Sequence, residues 1–225
     1  MRPVYACTCI LAGLPVLMAA ASMVVNPSAL PKSDVTVVLD VKGSFSPVAL
    51  REMEKEAGQI IGTSGIRLDW RMRDEALSST FNDLVIMTFR GACVGTTAPR
   101  AYSETGPYAF TRTSNGQVQP FAEVDCDHVV GAARQAMSRD DSGRADELVG
   151  RALGRVVAHE LVHMLTRSAE HGHEGVEKPA LSGRQLISAS LPLSALDIER
   201  LRQERPKPVT PATPGTDTQA ESETR

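Results

Sequence analysis

The stretch "ELVGRALGRVVAHELVHMLT", residues 147 to 166, decides how the rest of the chain is read. Leu148, Val149, Ala152, Leu153, Val156 and Val157 recur at the spacing that places them along one side of an α-helix. Only Gly150 and Gly154 are unfavourable to that conformation, so a helix is predicted from about Ala145 to Leu165. Within it His159, Glu160 and His163 form H-E-x-x-H. Residues i and i+4 of a helix lie one turn apart on the same face, so both imidazoles reach one metal ion. Glu160 projects beside them, where it can hold a water on that ion. The competing reading is a buried helix whose histidines only form hydrogen bonds. Two histidines enclosing a glutamate in an apolar helix favour metal, and zinc is the natural ion for neutral imidazoles.

A catalytic zinc takes three protein ligands and keeps one position open. The third ligand has several candidates in the sequence. His171 and His173 follow within ten residues of His163, with Gly172 and Gly175 giving the backbone freedom to turn back. Glu170, Glu174 and Glu177 are carboxylate rivals, and Glu199 is the choice if the ligand comes from a distant helix.

Around this segment the chain alternates in type. "DVTVVLD" (34–40) reads as a strand, and Ser46-Pro47 opens a helix whose apolar residues run from Val48 to Ile61. "IRLDWRM" (66–72) and "DLVIMTFRG" (83–91) read as further strands. Asn115-Gly116 predicts a hairpin. Pro120 then demotes its second arm to an edge strand or an irregular segment. Helices are predicted over 127–138 and 194–205, and residues 206–225, rich in Pro and Thr, are expected to be a disordered tail. His128, beside Asp125 and Asp127, is expected at the surface or at a helix start.

Residues 3–25 carry no charge, follow Arg2 and include "AAA" at 19–21. This pattern predicts an export signal covering residues 1–21, with an uncleaved membrane anchor over 3–25 as the rival. The protein is therefore expected to be exported, secreted or periplasmic, with residues 22–205 as its single domain. Cys7 and Cys9 would leave with the signal, and an exported chain retaining only Cys93 and Cys126 suggests one disulfide. Free thiols or metal ligands are the alternatives. A net charge of −3 with no long Lys/Arg run argues against a nucleic-acid partner.

With these residues in view, the chain resembles the zincin metallopeptidases, which are named for HExxH. A third histidine close downstream is similar to the metzincin pattern. His171 lies eight residues after His163 where that pattern has six, and Thr166 stands where it has glycine. "HELVHMLTRSAEHGHEGVEKP" (159–179), with "PFAEVDCDHV" (120–129) upstream, is also similar to a group of exported bacterial metallopeptidase-like proteins. That resemblance implies His171 as the third ligand beside His159 and His163. It also implies an α+β, zincin-like fold: a small twisted mixed sheet, a backing helix and the HExxH helix under the sheet. The implied function is a zinc-dependent metalloendopeptidase acting on a peptide or protein substrate, with Glu160 as general base. The alternative is a zinc-binding exported domain with a structural or interaction role, in which His173 closes the site.

Overall fold

The computed structural model describes residues 35–77, 81, 83–96 and 106–204. The expected signal or anchor segment and the expected tail both lie outside these residues. The described part is mixed α+β, and among its residues no helix is long and apolar enough to cross a membrane.

Five strands form the main sheet in the order β3-β1-β4-β7-β6. They are β1 (Val35–Val41), β3 (Leu68–Met72), β4 (Leu84–Arg90), β6 (Ala109–Ser114) and β7 (Gln117–Asp125). The first four in that order run parallel, and β6 closes the edge antiparallel to β7. Two short strands, β2 (Ser44–Phe45) and β5 (Ala92–Cys93), pair separately. One face of the sheet presents Val37, Leu39, Val85, Met87, Phe89, Ala122 and Val124, all buried. Period-two alternation puts them together because successive strand residues point to opposite faces.

The helices are α1 (Pro47–Gly62), α2 (Arg73–Ala76), α3 (Cys126–Ala136), α4 (Ala145–Thr166), α5 (Gly183–Ile187) and α6 (Ala195–Gln203). The α4 helix is buried along nearly its whole length, and its apolar residues join the core that the sheet begins. It lies directly against α1, and the closeness has a cause in the sequence. A methyl group on Gly150 would meet the Ala49 carbonyl oxygen at 2.5 Å, and one on Gly154 would meet Glu56 Cβ at 2.7 Å and the Met53 carbonyl at 2.8 Å. The two glycines that count against the helix locally are what let the helix backbones touch.

The helix starts are joined as well. Ser46 caps α1, accepting from the Ala49 amide, and its hydroxyl donates to Asp146 Oδ2 at 2.6 Å in the first turn of α4. Asp146 Oδ1 accepts the Gly95 amide at 2.6 Å, which ties in the segment after β5. Further along α4, fully buried Arg155 donates to Glu56 of α1 at 2.8 Å and to the Ser188 carbonyl, also at 2.8 Å, after α5. Cys93 and Cys126 stand at disulfide-bonding distance with Cα atoms 4.9 Å apart, the pairing expected from the sequence.

The hairpin forms at Asn115-Gly116, both with positive φ (51° and 75°), as a two-residue turn of this kind requires. The expectation for its second arm is corrected. β7 is an interior strand, bonded to both β4 and β6, and the edge is β6. Pro120 is accommodated because β4 pairing begins only at Phe121, and the β6 register shifts between Thr111 and Thr113, opposite this part of β7. Proline is tolerated at such an irregularity because no ladder hydrogen bond is asked of it.

The Gly154 contact gives a paired test of the helix packing. Gly154→Ala is expected to lower stability by about 1–2 kcal/mol, because overpacking outweighs the gain in helix propensity. Gly58→Ala in α1, where an added methyl group meets nothing within 4 Å, is expected to raise stability by up to about 1 kcal/mol. Urea or thermal denaturation of both variants checks the difference in sign.

Candidate metal site

The site is built on the last two turns of α4 and the loop that follows. Arg167 ends the helix in the left-handed conformation (φ 50°), which turns the chain back along α4. The loop carries exposed His171 to the helical pair, and His159, His163 and His171 then offer ligand atoms that all lie within 4.8 Å of one another. The structure thus brings together the three histidines expected as ligands. His173 is exposed and outside the group, as are Glu170, Glu174 and Glu199. Glu170 lies 3.8 Å from Arg200, and Glu199 accepts from Gln203. Glu177 is close but on the other side of the ring, with Oε1 3.5 Å from His159 Nδ1.

The tautomers follow from the acceptors. His159 Nδ1 donates to the Val176 carbonyl at 2.9 Å, and His163 Nδ1 donates to the Ser168 carbonyl at 2.8 Å. A carbonyl oxygen can only accept, so in each neutral ring the proton sits on Nδ1 and the lone pair on Nε2. Those two Nε2 atoms are 3.1 Å apart. Two lone pairs facing each other at that distance repel unless a proton or a cation lies between them.

A proton is poorly held there. Burial above all, then the neighbouring His163 and His171, push the His159 imidazolium down to about 4, against the raising effect of the Val176 carbonyl and Asp197. Burial and His171 lower His163 as well. A cation fits better. Tetrahedral coordination with bonds of about 2.0–2.1 Å separates ligand nitrogens by roughly 3.3–3.4 Å. His159 and His163, each backed by a carbonyl on its far nitrogen, have the kind of partner that orients imidazole ligands toward a metal. The three histidines are close enough to bind a metal ion.

Glu160 is buried, 4% exposed, and receives a hydrogen bond of 2.6 Å from the Thr111 hydroxyl on edge strand β6. Burial raises its carboxyl to about 7, while the Thr111 hydrogen bond pulls the other way. Histidines, Glu160 and Thr111 open into a cleft of about 460 Å³ between the start of β6 and residues 178–181, with Tyr108, His128, Val156 and Leu181 on its walls. Of the two places expected for His128, the structure gives the second. It sits at a helix start, in the first turn of α3, and is buried, with Nδ1 3.3 Å from the Pro107 carbonyl and its ring against Tyr108. The acidic residues beside it have structural roles: Asp125 caps α3, and Asp127 accepts the Ala92 amide.

Sequence reading did not find Thr111, nor the Val176 and Ser168 carbonyls. A single threonine in a strand carries no signal of its partner, and backbone acceptors carry none at all. Compared with known proteins, the chain matches no protein-family model and no curated protein.

The buried groups set a pH dependence for the metal-free protein. His159 is depressed, so its contribution to stability is full above about 6.5 and is lost as pH falls toward 4. Glu160 and Glu177 are raised, to about 7 and about 9, so theirs is present below about 4.5 and lost as pH rises through those values. Burial is the main cause for Glu177, followed by the negative charges of Asp197 and Glu160. Between about 7 and 9 Glu177 dominates the difference from the unfolded chain, because Glu160 completes its titration early in that range. The metal-free protein is therefore expected to melt at a lower temperature at pH 9 than at pH 7, and Glu177→Gln is expected to flatten that fall. Thermal melts in chelator at the two pH values check both.

Proposed function

We propose that this chain is an exported zinc-dependent peptidase of the zincin type, with His159, His163 and His171 as ligands and Glu160 as general base. The observation that carries the reading is the pair of Nε2 lone pairs 3.1 Å apart, with His171 beside them and a buried glutamate on the same helix turn. Zinc held there would act as a Lewis acid on a carbonyl and lower the pKa of water in its open position to about 7.

The chain's own residues supply the rest. Glu160, with its carboxyl raised to about 7, is suited to take a proton near neutral pH and return it to the leaving amine. Thr111 fixes which way that carboxylate points. Because β6 is the sheet edge among the described residues, an extended peptide lying along the cleft could pair with its outer backbone by strand addition. A mixed sheet with an antiparallel edge, and an HExxH helix packed with α1 in one core, support the reading. The cysteine pair at disulfide distance supports an oxidising compartment.

A purely structural zinc site wants four closed ligands. Among the described residues the candidate group holds three, and the fourth ligand that reading would need, His173, is exposed and outside it.

Zinc content and cleavage of a mixed peptide library test the reading together. The protein is expected to bind about one zinc per chain and to lose it in His171→Ala. Glu160→Gln is expected to keep the metal while cleavage falls by about 10²–10⁴. Thr111→Val, which loses one hydrogen bond to a carboxylate, should lower kcat by roughly 10- to 100-fold, with Thr111→Ser recovering most of it. A zinc-loaded protein that cleaves nothing in the library would contradict the peptidase reading.

A further inference from the structure

Behind His159, away from the converging Nε2 atoms, lies a carboxyl group for which the site as described has no use. Glu177 is 1% exposed, and its Oε1 is a buried side-chain polar atom without a hydrogen-bond partner. Leaving such an acceptor unsatisfied is destabilising, and an apolar residue of the same length would avoid that cost. The atom is not placed at random. Its neighbour is His159 Nδ1, 3.5 Å away, whose proton already goes to the Val176 carbonyl at 2.9 Å.

We propose that Glu177 is a positioning residue for the metal ligands, its side-chain oxygen serving as second acceptor for the His159 Nδ1–H and its backbone holding the His171 loop. The inference rests on the metal reading of the three histidines. It does not require peptidase activity. With the Val176 carbonyl alone, the imidazole can swing about the line from Nδ1 to that oxygen. A second acceptor off that line fixes the ring plane, and a small rotation about the Cβ–Cγ bond shares the proton between the two as a three-centre hydrogen bond. Nε2 is then aimed at one point before a cation arrives.

The other half of the role is on the backbone. The Glu177 carbonyl accepts the Gly172 amide at 2.9 Å, one residue after His171. A Cβ on Gly172 would come within 3.1 Å of Glu177 Cβ and 3.4 Å of Asp197 Oδ2, so the loop is drawn tightly against this residue. The Val176 amide in turn donates to the Pro192 carbonyl at 3.1 Å, anchoring the loop to the segment before α6. One residue thus sets the orientation of the first ligand and the place of the third. Partners of this kind in the shell around metal ligands typically change metal affinity by about 10- to 100-fold.

Zinc affinity of the full chain, measured by competition with a chromophoric chelator at pH 7.5, tests this without any substrate. Glu177→Met and Glu177→Ala remove the acceptor and are expected to bind zinc about 10- to 100-fold more weakly. Glu177→Gln keeps an acceptor oxygen and should fall within a few-fold of the parent. Glu170→Gln, an exposed change in the same loop, should bind as the parent does. The metal-free melting temperature of Glu177→Met should not drop, since an unsatisfied buried oxygen is removed, and its cobalt(II) ligand-field spectrum should shift. Affinity within twofold of the parent in both acceptor-less variants overturns the proposal. So does a loss that Glu177→Gln does not recover, or one accompanied by a matching fall in metal-free melting temperature. A parent that takes up no zinc overturns the metal reading, and this inference with it.

Discussion

A helix buried on nearly every side must satisfy each of its polar side chains inside the protein, and α4 is such a helix. The rest of the structure follows from how that constraint is met. Arg155 reaches Glu56 on one side and the carbonyls around α5 on the other, which holds α1 and α5 against the helix. Glu160 takes its hydrogen bond from Thr111, which fixes edge strand β6 over the helix. His159 and His163 spend their Nδ1 protons on the carbonyls of Val176 and Ser168, which draws the following loop back along the last turns. What remains unsatisfied is a pair of lone pairs aimed at each other, with His171 alongside. The same network that packs the helix leaves a place for a cation.

This arrangement separates two tasks along one helix. The first half of α4 approaches α1 closely through Gly150 and Gly154 and packs into the core. The second half carries the imidazoles and Glu160 at the cleft. Burial does chemical work there as well as structural work. It keeps His159 neutral, and it raises the Glu160 carboxyl to about 7, on which the proposed general-base role relies.

Much of this was legible from local pattern. HExxH, the Ser46-Pro47 cap and the Asn115-Gly116 turn each depend on neighbours in sequence, so periodicity and turn chemistry find them. What was misread or left open concerns features decided by distant contacts. Pro120 argues for an edge strand only if every residue of a strand must donate to a ladder, and here the register shift at Thr111 and Thr113 removes that requirement. His128 reads as a surface or a helix-start residue, and it is distant contacts that choose the second, with Asp125 and Asp127 turned to backbone amides and the ring packed on Tyr108. Glu177 was legible only as a possible ligand. Its actual place behind His159 depends on a loop closed by the Gly172 amide and docked on Pro192, which no spacing rule encodes.

X-ray absorption at the zinc edge of protein reconstituted with one equivalent of zinc tests the central claim most directly. A site open for chemistry requires three imidazole nitrogens and a single further oxygen, all at about 2.0–2.1 Å. Four imidazoles, or any sulfur in the coordination shell, would mean a closed site built from residues other than those assigned, and would contradict the account.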